Sequence, residues 1–241
     1  MTTLRGIVAA LVVASAVQTQ PTAVAIRNVS VVDVTNGALR AEQTVLVESS
    51  RIRAVGSIRQ VDIPAGATIV DGAGKFLVPG LWDMHVHTPS DAESRTVHLP
   101  LMIANGITGA RVMWGRSFNL AQRAEIESGR LLGPRMVIST PIFDGRMWKG
   151  SIEATSPDEM RRMVRAFAAE GYDFVKTYQF LPRDIYLAIA DEGRRLRIPV
   201  TGHVPMAVSL VESLEAGQRS IEHGVVSASP VRARSCGCAL N

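Results

Sequence analysis

Cysteine is nearly missing from this 241-residue chain, and the little present excludes more than it offers. Cys236 and Cys238 are separated only by Gly237, too tight a spacing for the Cα separation and Cβ geometry of an ordinary disulfide. The pair reads as part of an irregular tail over 225–241, with a two-thiolate metal site as the alternative, and says little about compartment. Long hydrophobic runs are equally scarce. Beyond Val17 nothing is long and apolar enough to cross a bilayer, so no stable membrane span is expected. There is no internal repeat and no low-complexity tract, and 46% hydrophobic against 20% charged residues argues against a disordered chain. Charge of one sign is not concentrated either. The 26 basic and 22 acidic residues leave a net +4 carried by scattered arginines, without the basic stripe that nucleic acid would require.

What is present begins with a targeting pattern. Met1-Thr-Thr-Leu-Arg5 is a short basic start, Gly6 to Val17 is apolar, and Ala14-Ser-Ala16 offers small residues to a signal peptidase. Residues 1–21 are therefore expected to be a signal peptide and the protein to be exported, periplasmic or secreted, with an uncleaved anchor or a first strand as the other readings.

The rest divides in two. Over 22–75 short alternating strands and turns predict part of a small β-sandwich, with strands in 23–29, 43–48, 51–56 and 67–71 and turn chemistry at Asn36-Gly37 and Gly72 to Gly74. Over 76–224 strands alternate with amphipathic helices, which predicts an α/β fold with a parallel sheet. Six strands are expected, over 81–87, 106–113, 135–140, 173–178, 198–203 and 219–223. Helices are expected near 92–104, 119–129, 157–170, 183–197 and 206–216, the third announced by Ser156-Pro-Asp-Glu. This is an incomplete (β/α)8 barrel of the TIM type with about six βα units, and an open edge calls for a partner, a homo-oligomer being one.

Histidine placement carries the chemistry. Four of the five histidines end short apolar runs: His85 and His87 in Phe76-Leu-Val-Pro-Gly-Leu-Trp-Asp-Met-His-Val-His, His203 in Ile198-Pro-Val-Thr-Gly-His, and His223 in Ser220-Ile-Glu-His. The tips of parallel barrel strands converge on one face, which holds the active site. Lys176, in Asp173-Phe-Val-Lys-Thr-Tyr, sits on a strand otherwise apolar; read alone, it either snorkels outward, pairs with a carboxylate or takes part in the site.

These stretches, with Asn105-Gly-Ile-Thr-Gly-Ala-Arg and Ala216-Gly-Gln-Arg-Ser-Ile-Glu-His-Gly, resemble the amidohydrolase superfamily of metal-dependent hydrolases. The similarity is to the branch with imidazolonepropionase-like and prolidase-like enzymes and runs from about residue 23 to 224. The resemblance implies two divalent metal ions, with Zn²⁺ suited to the ligand types. It implies that His85 and His87 bind the more buried ion, that carboxylated Lys176 bridges the two, and that His203 and His223 bind the more exposed one. It also implies hydrolysis of an amide-like carbon–nitrogen bond, in a non-standard peptide or a cyclic amide, by a metal-activated water. Single-metal deaminases of the superfamily generally lack the lysine.

The general base of such enzymes, an aspartate at the end of strand eight, has no counterpart here: no Asp or Glu follows His223. The chain reads as a C-terminally truncated member, and a non-catalytic fragment is the alternative to an active hydrolase. Asp83 is expected to buttress the ligands. Arg111 is expected to face the pocket and receive a substrate carboxylate. Tyr178 has two readings, substrate contact and core aromatic. His98 is expected on a helix surface, and the loop from Phe143 to Gly150, with Trp148, as a lid over the pocket.

Overall fold

The computed structural model describes residues 23–147 and 149–224. The expected signal peptide, Trp148 of the expected lid and the 225–241 tail with both cysteines lie outside the described residues. Among the described residues no helix is long and apolar enough to cross a membrane. The chain splits into two units, one ending at Pro79 and the other beginning at Gly80.

In the first unit β1 (Ala23–Val32), β2 (Leu39–Glu48), β3 (Arg51–Ser57), β4 (Thr68–Asp71) and β5 (Phe76–Leu77) form one sheet in the order β3-β2-β1-β4, with β5 also on β1. β5 is an addition to the expected strands, and its pairing draws Phe76 and Leu77 into this sheet, beyond the 75/76 boundary read from sequence. The β1–β2 turn is held by the Asp33 carboxylate, which accepts the Thr35 N–H at 3.0 Å, with Gly37 at φ 75°. The β2–β3 turn is less orthodox. Ser49 and Ser50 both take positive φ, 48° and 62°, where Asn-Gly would be usual. The core of this sheet is small: Ala23, Ala25, Leu46 and Val61, with Ala54, Ile63 and Ala67 against them.

The second unit is built on an all-parallel sheet. Its strands are β6 (Leu81–Val86), β7 (Ile107–Val112), β8 (Arg135–Asp144), β9 (Ser151–Glu153), β10 (Phe174–Thr177), β11 (Val200–Gly202) and β12 (Ser220–Ile221). The order is β12-β11-β10-β8-β7-β6, with β9 lying along the end of β8. The six expected strands are all found. The sheet curls enough for the C-terminal ends of its two outermost strands to meet: His85 on β6 and Glu222 just past β12 are hydrogen bonded. This is a partial (β/α)8 barrel. Two differences concern β8, which runs four residues further than expected, into the segment read as a lid, and β9, which pairs with that extension.

The helices are α1 (Asp91–Glu93), α2 (Leu99–Ala104), α3 (Ser117–Glu127), α4 (Pro157–Glu170), α5 (Arg183–Leu196) and α6 (Leu210–Glu215). α4 matches its expected span because its ends are coded locally: the Ser156 hydroxyl accepts the Glu159 N–H, Pro157 opens the helix, and Gly171 closes it at φ 95°. The stretch expected as one helix over 92–104 is instead broken by a π-turn over Ser94–His98. Pro100 has no N–H to give the preceding turn, and the wider turn, in which the Leu99 N–H reaches Ser94 O, accommodates it. α6 starts at Leu210, later than expected, because Ser209 and Glu212 form a reciprocal capping box there. Between the sheet and α4–α5 lie Phe143, Met160, Val164, Val175, Ile185 and Ile189. Each fully buried side chain of this size contributes about 1.5–3 kcal/mol, and the rigid layer holds the strand ends in place.

Candidate metal centre

Side chains at i and i+2 of a strand share a face, so His85 and His87 point the same way from the end of β6. Their Nε2 atoms are 3.2 Å apart. Two imidazole nitrogens on one tetrahedral zinc stand about 3.3 Å apart, given Zn–N bonds of about 2.0–2.1 Å. Asp83 pins the strand end by accepting the His85 backbone N–H at 3.0 Å. From the far side of the sheet, His223 brings its ring centroid to 4.5 Å from His85 and 5.3 Å from His203. His223 holds φ 64°, a left-handed conformation that a non-glycine residue keeps only when its surroundings impose it.

Lys176, on β10, lies under this group with 1% of its surface exposed. Among the described residues its ammonium makes no ion pair or hydrogen bond. Burial pushes its pKa down to about 8; the nearby Glu222 carboxylate opposes that shift and Arg111 adds to it. The glycine of Thr201-Gly202-His203 makes this proximity feasible. At φ 122°, a Cβ on Gly202 would lie 2.2 Å from Thr177 O and 3.1 Å from Lys176 Cδ.

His87 and His203 are held as neutral imidazoles, the form that ligates metal. Burial, then the positive charge of Lys176 and neighbouring rings, brings the pKa of His203 down to about 4. His87 is also brought to about 4, by desolvation of its inner side and by His85 and Lys176, though its outer edge is open to solvent. Nδ1 of His203 is buried without a partner among the described residues. Buried polar atoms without partners are rare and call for an explanation, and a ligand of the cluster would supply one. The donor set suits a divalent cation such as Zn²⁺. The gathering is pairwise, however. Among the described residues no three His, Cys, Asp or Glu side chains stand in metal-binding geometry.

Two residues that sequence reasoning left without a role matter here. Glu222, with 8% of its surface exposed, accepts from Ser220 Oγ at 2.8 Å and Arg111 Nη1 at 3.0 Å, and its other oxygen meets His85 Nδ1 at 2.8 Å. Its signal was the period-2 pattern of Ser220-Ile-Glu, which puts Ser220 and Glu222 on one face. Trp114, beyond β7, sets its ring centroid 5.8 Å from that of His87, with Arg116 stacked over it at 4.1 Å.

The other expected contacts fall as follows. Arg111, expected to receive a substrate carboxylate, has its guanidinium bonded to groups of this chain. It is engaged inside the curled sheet with Glu222 and Ser220 and stacks over Phe174 at 4.8 Å, because the inward face of β7 looks across to β12. Tyr178 lies half-buried with its ring 4.2 Å from that of His203. His98 lies in the π-turn, half-buried rather than on the surface, away from the cluster. Asp144, at the end of β8, is buried and accepts the N–H groups of Gly145 and Phe180 at 2.9 and 2.7 Å, which ties the segments after β8 and β10 together.

No family model matches the chain. It is 33% identical over 119 residues to adenine deaminase 2 of Rhizobium etli, a match covering 45% of this chain and 20% of that protein. It is 48% identical over 62 residues to the dihydroorotase of Pelobacter propionicus, covering 26% of this chain and 14% of that one. The crystal structure of a candidate prolidase from Bifidobacterium longum superposes with a TM-score of 0.73 at 27% identity, over 85% of this chain and 55% of that one. These matches span a fifth or less of the curated relatives and about half of the solved structure.

Proposed function

We propose that this chain, which belongs to the amidohydrolase superfamily, carries the ligand-bearing part of a metal-dependent hydrolase acting on carbon–nitrogen bonds in small molecules. The 3.2 Å separation of His85 and His87 Nε2 carries this reading, since it is the span of two ligands on one tetrahedral ion. His85 and His87 would hold one divalent ion, His203 and His223 a second, with Lys176 between them as its carbamate. Ions bound there would lower the pKa of a water and polarise the scissile carbonyl.

The chain's own residues supply the rest. With a pKa of about 8, Lys176 has a neutral amine fraction near physiological pH. That amine adds to CO₂ and loses a proton, which replaces a buried cation by an anion among imidazoles. Tyr178 and Trp114 form aromatic walls against His203 and His87, which exclude water and orient a flat group. The names of the relatives divide between adenine deaminase on one side and dihydroorotase and prolidase on the other. Lys176 sides with the second group, which favours an amide or cyclic amide as substrate over the single-metal deaminases. Export, from the residues 1–21 pattern, belongs to the same proposal.

A second reading, a non-catalytic piece of such an enzyme, is favoured by one observation. The nearby acids are engaged: Asp83 by the His85 N–H, Asp144 by Gly145 and Phe180, and Glu222 by Arg111, Ser220 and His85. Assays of the zinc-loaded chain on Xaa-Pro dipeptides and on cyclic amides separate the readings. Turnover lost in both His85→Ala and His203→Ala supports the first, whereas bound zinc without turnover selects the second.

A further inference from the structure

Glu222 divides its oxygens between two kinds of neighbour. Oε1 accepts Arg111 Nη1–H at 3.0 Å and the Ser220 hydroxyl at 2.8 Å, while Oε2 faces Nδ1 of His85 at 2.8 Å. The Oε1 side cannot be turned around. Arginine has no lone pair to offer, and Ser220 Oγ itself accepts Arg111 Nη2–H at 2.7 Å, so its proton is directed at Glu222. Arg111 is steadied in turn by the face of Phe174. The carboxylate is thus oriented from β7 and β12, and Oε2 is left as an acceptor aimed at a histidine 137 residues away in sequence. An acceptor at Nδ1 requires the proton there. Nε2 of His85 then keeps its lone pair, and that atom faces His87.

We propose that Glu222 is a positioning residue that selects the tautomer and fixes the ring of His85, with Arg111 and Ser220 orienting Glu222 itself. The proposal rests on the reading that His85 offers Nε2 to a cation, and it makes a prediction that a general electrostatic role does not. In Glu222→Gln, the amide oxygen must occupy the Oε1 place, because both groups there donate. The NH₂ group then occupies the Oε2 place and donates to Nδ1. The most conservative substitution therefore inverts the tautomer, moves the proton to Nε2 and removes the ligand lone pair. Glu222→Ala only releases the ring.

The test is a long-range ¹⁵N–¹H NMR spectrum of the full, metal-free chain, which reads the protonated nitrogen of His85 directly, alongside Zn²⁺ affinity by chelator competition. The expected pattern is Nδ1–H in the wild type, Nε2–H in E222Q and a mixture in E222A. Zn²⁺ binding should weaken about 10–100-fold, as for other groups that orient a ligating histidine, and E222Q should lose at least as much as E222A. E222Q, close to isosteric, carries the test where E222A does not fold. Nε2–H in the wild type, or Nδ1–H persisting in E222Q, overturns the positioning role. Nδ1–H in the wild type without Zn²⁺ affinity sustains that role and overturns the metal reading. Tight Zn²⁺ binding that E222Q leaves unchanged does the reverse.

Discussion

Glu192 and Lys176 are almost equally hidden, with 3% and 1% of their surfaces exposed, yet their surroundings differ. Glu192, on α5, is answered three times: by Arg195 one turn on, by Arg165 at 3.1 Å and by Arg161 at 3.7 Å, both from α4. Tyr186, on the same helix, is buried and donates to Gln218 at 2.7 Å. Lys176, at the strand ends, has no such answer among the described residues, and neither does Nδ1 of His203. Burying an unpaired charge is expensive, so a fold keeps one only where something else supports it. The α4–α5 layer holds no such unpartnered atom among the described residues and serves as scaffold. In the strand-end cluster Lys176 and Nδ1 of His203 lack partners among the described residues, which is consistent with the ligand site proposed above.

The comparison can be broken from the scaffold side first, where effects are largest. Ile189→Ala removes a fully buried side chain between α5 and the sheet and should lower stability by about 2–5 kcal/mol in denaturant titration. Glu192→Ala should lower it by about 1–3 kcal/mol, the value of a buried hydrogen-bonded group, since its arginines can return to solvent.

Lys176→Met should act with the opposite sign. It removes a buried cation and leaves a side chain of similar length, so the metal-free chain, in CO₂-free buffer at pH 7, should be more stable by about 1–3 kcal/mol. The pH dependence follows from the folded pKa of about 8 against an ordinary 10.5. The unfolded chain holds the proton more tightly, so the Lys176 contribution makes wild-type stability rise as pH increases from about 8 to 10.5, and that contribution is at its lowest, and flat, below 8. K176M should lack that rise. Tyr186 shifts the other way, its pKa raised by burial, so its contribution is present below pH about 10 and lost as pH climbs further. Equal pH profiles for the wild type and K176M would mean that Lys176 is not desolvated as described. Least of all, Tyr178→Leu removes the ring stacked on His203 and should lower stability by about 0.5–1.5 kcal/mol, with a loss of ring-current shift on His203 in the NMR spectrum.

The legible parts of the molecule were those coded over a few residues. His85 and His87 declare a shared face by their spacing, α4 declares both ends by Ser156 and Gly171, and the six parallel strands are announced by alternation with helices. Features coded across the fold were not. Arg111 and Glu222 are 111 residues apart, and nothing in either motif says that the sheet curls far enough to bring them together; read from β7 alone, Arg111 faces the pocket mouth. The Ser49–Ser50 turn lacks the glycine that would have announced it. The π-turn could have been suspected from Pro100, a residue that cannot continue the ladder of an ordinary helix.

The measurement that bears most directly on the account is zinc bound per chain, by elemental analysis, after loading with Zn²⁺ in bicarbonate and removal of loosely held ions. About two equivalents in the wild type, falling to one or fewer in K176M with the fold intact, is the predicted result. A folded wild-type chain that retains no zinc, or a K176M chain that retains as much, would contradict it.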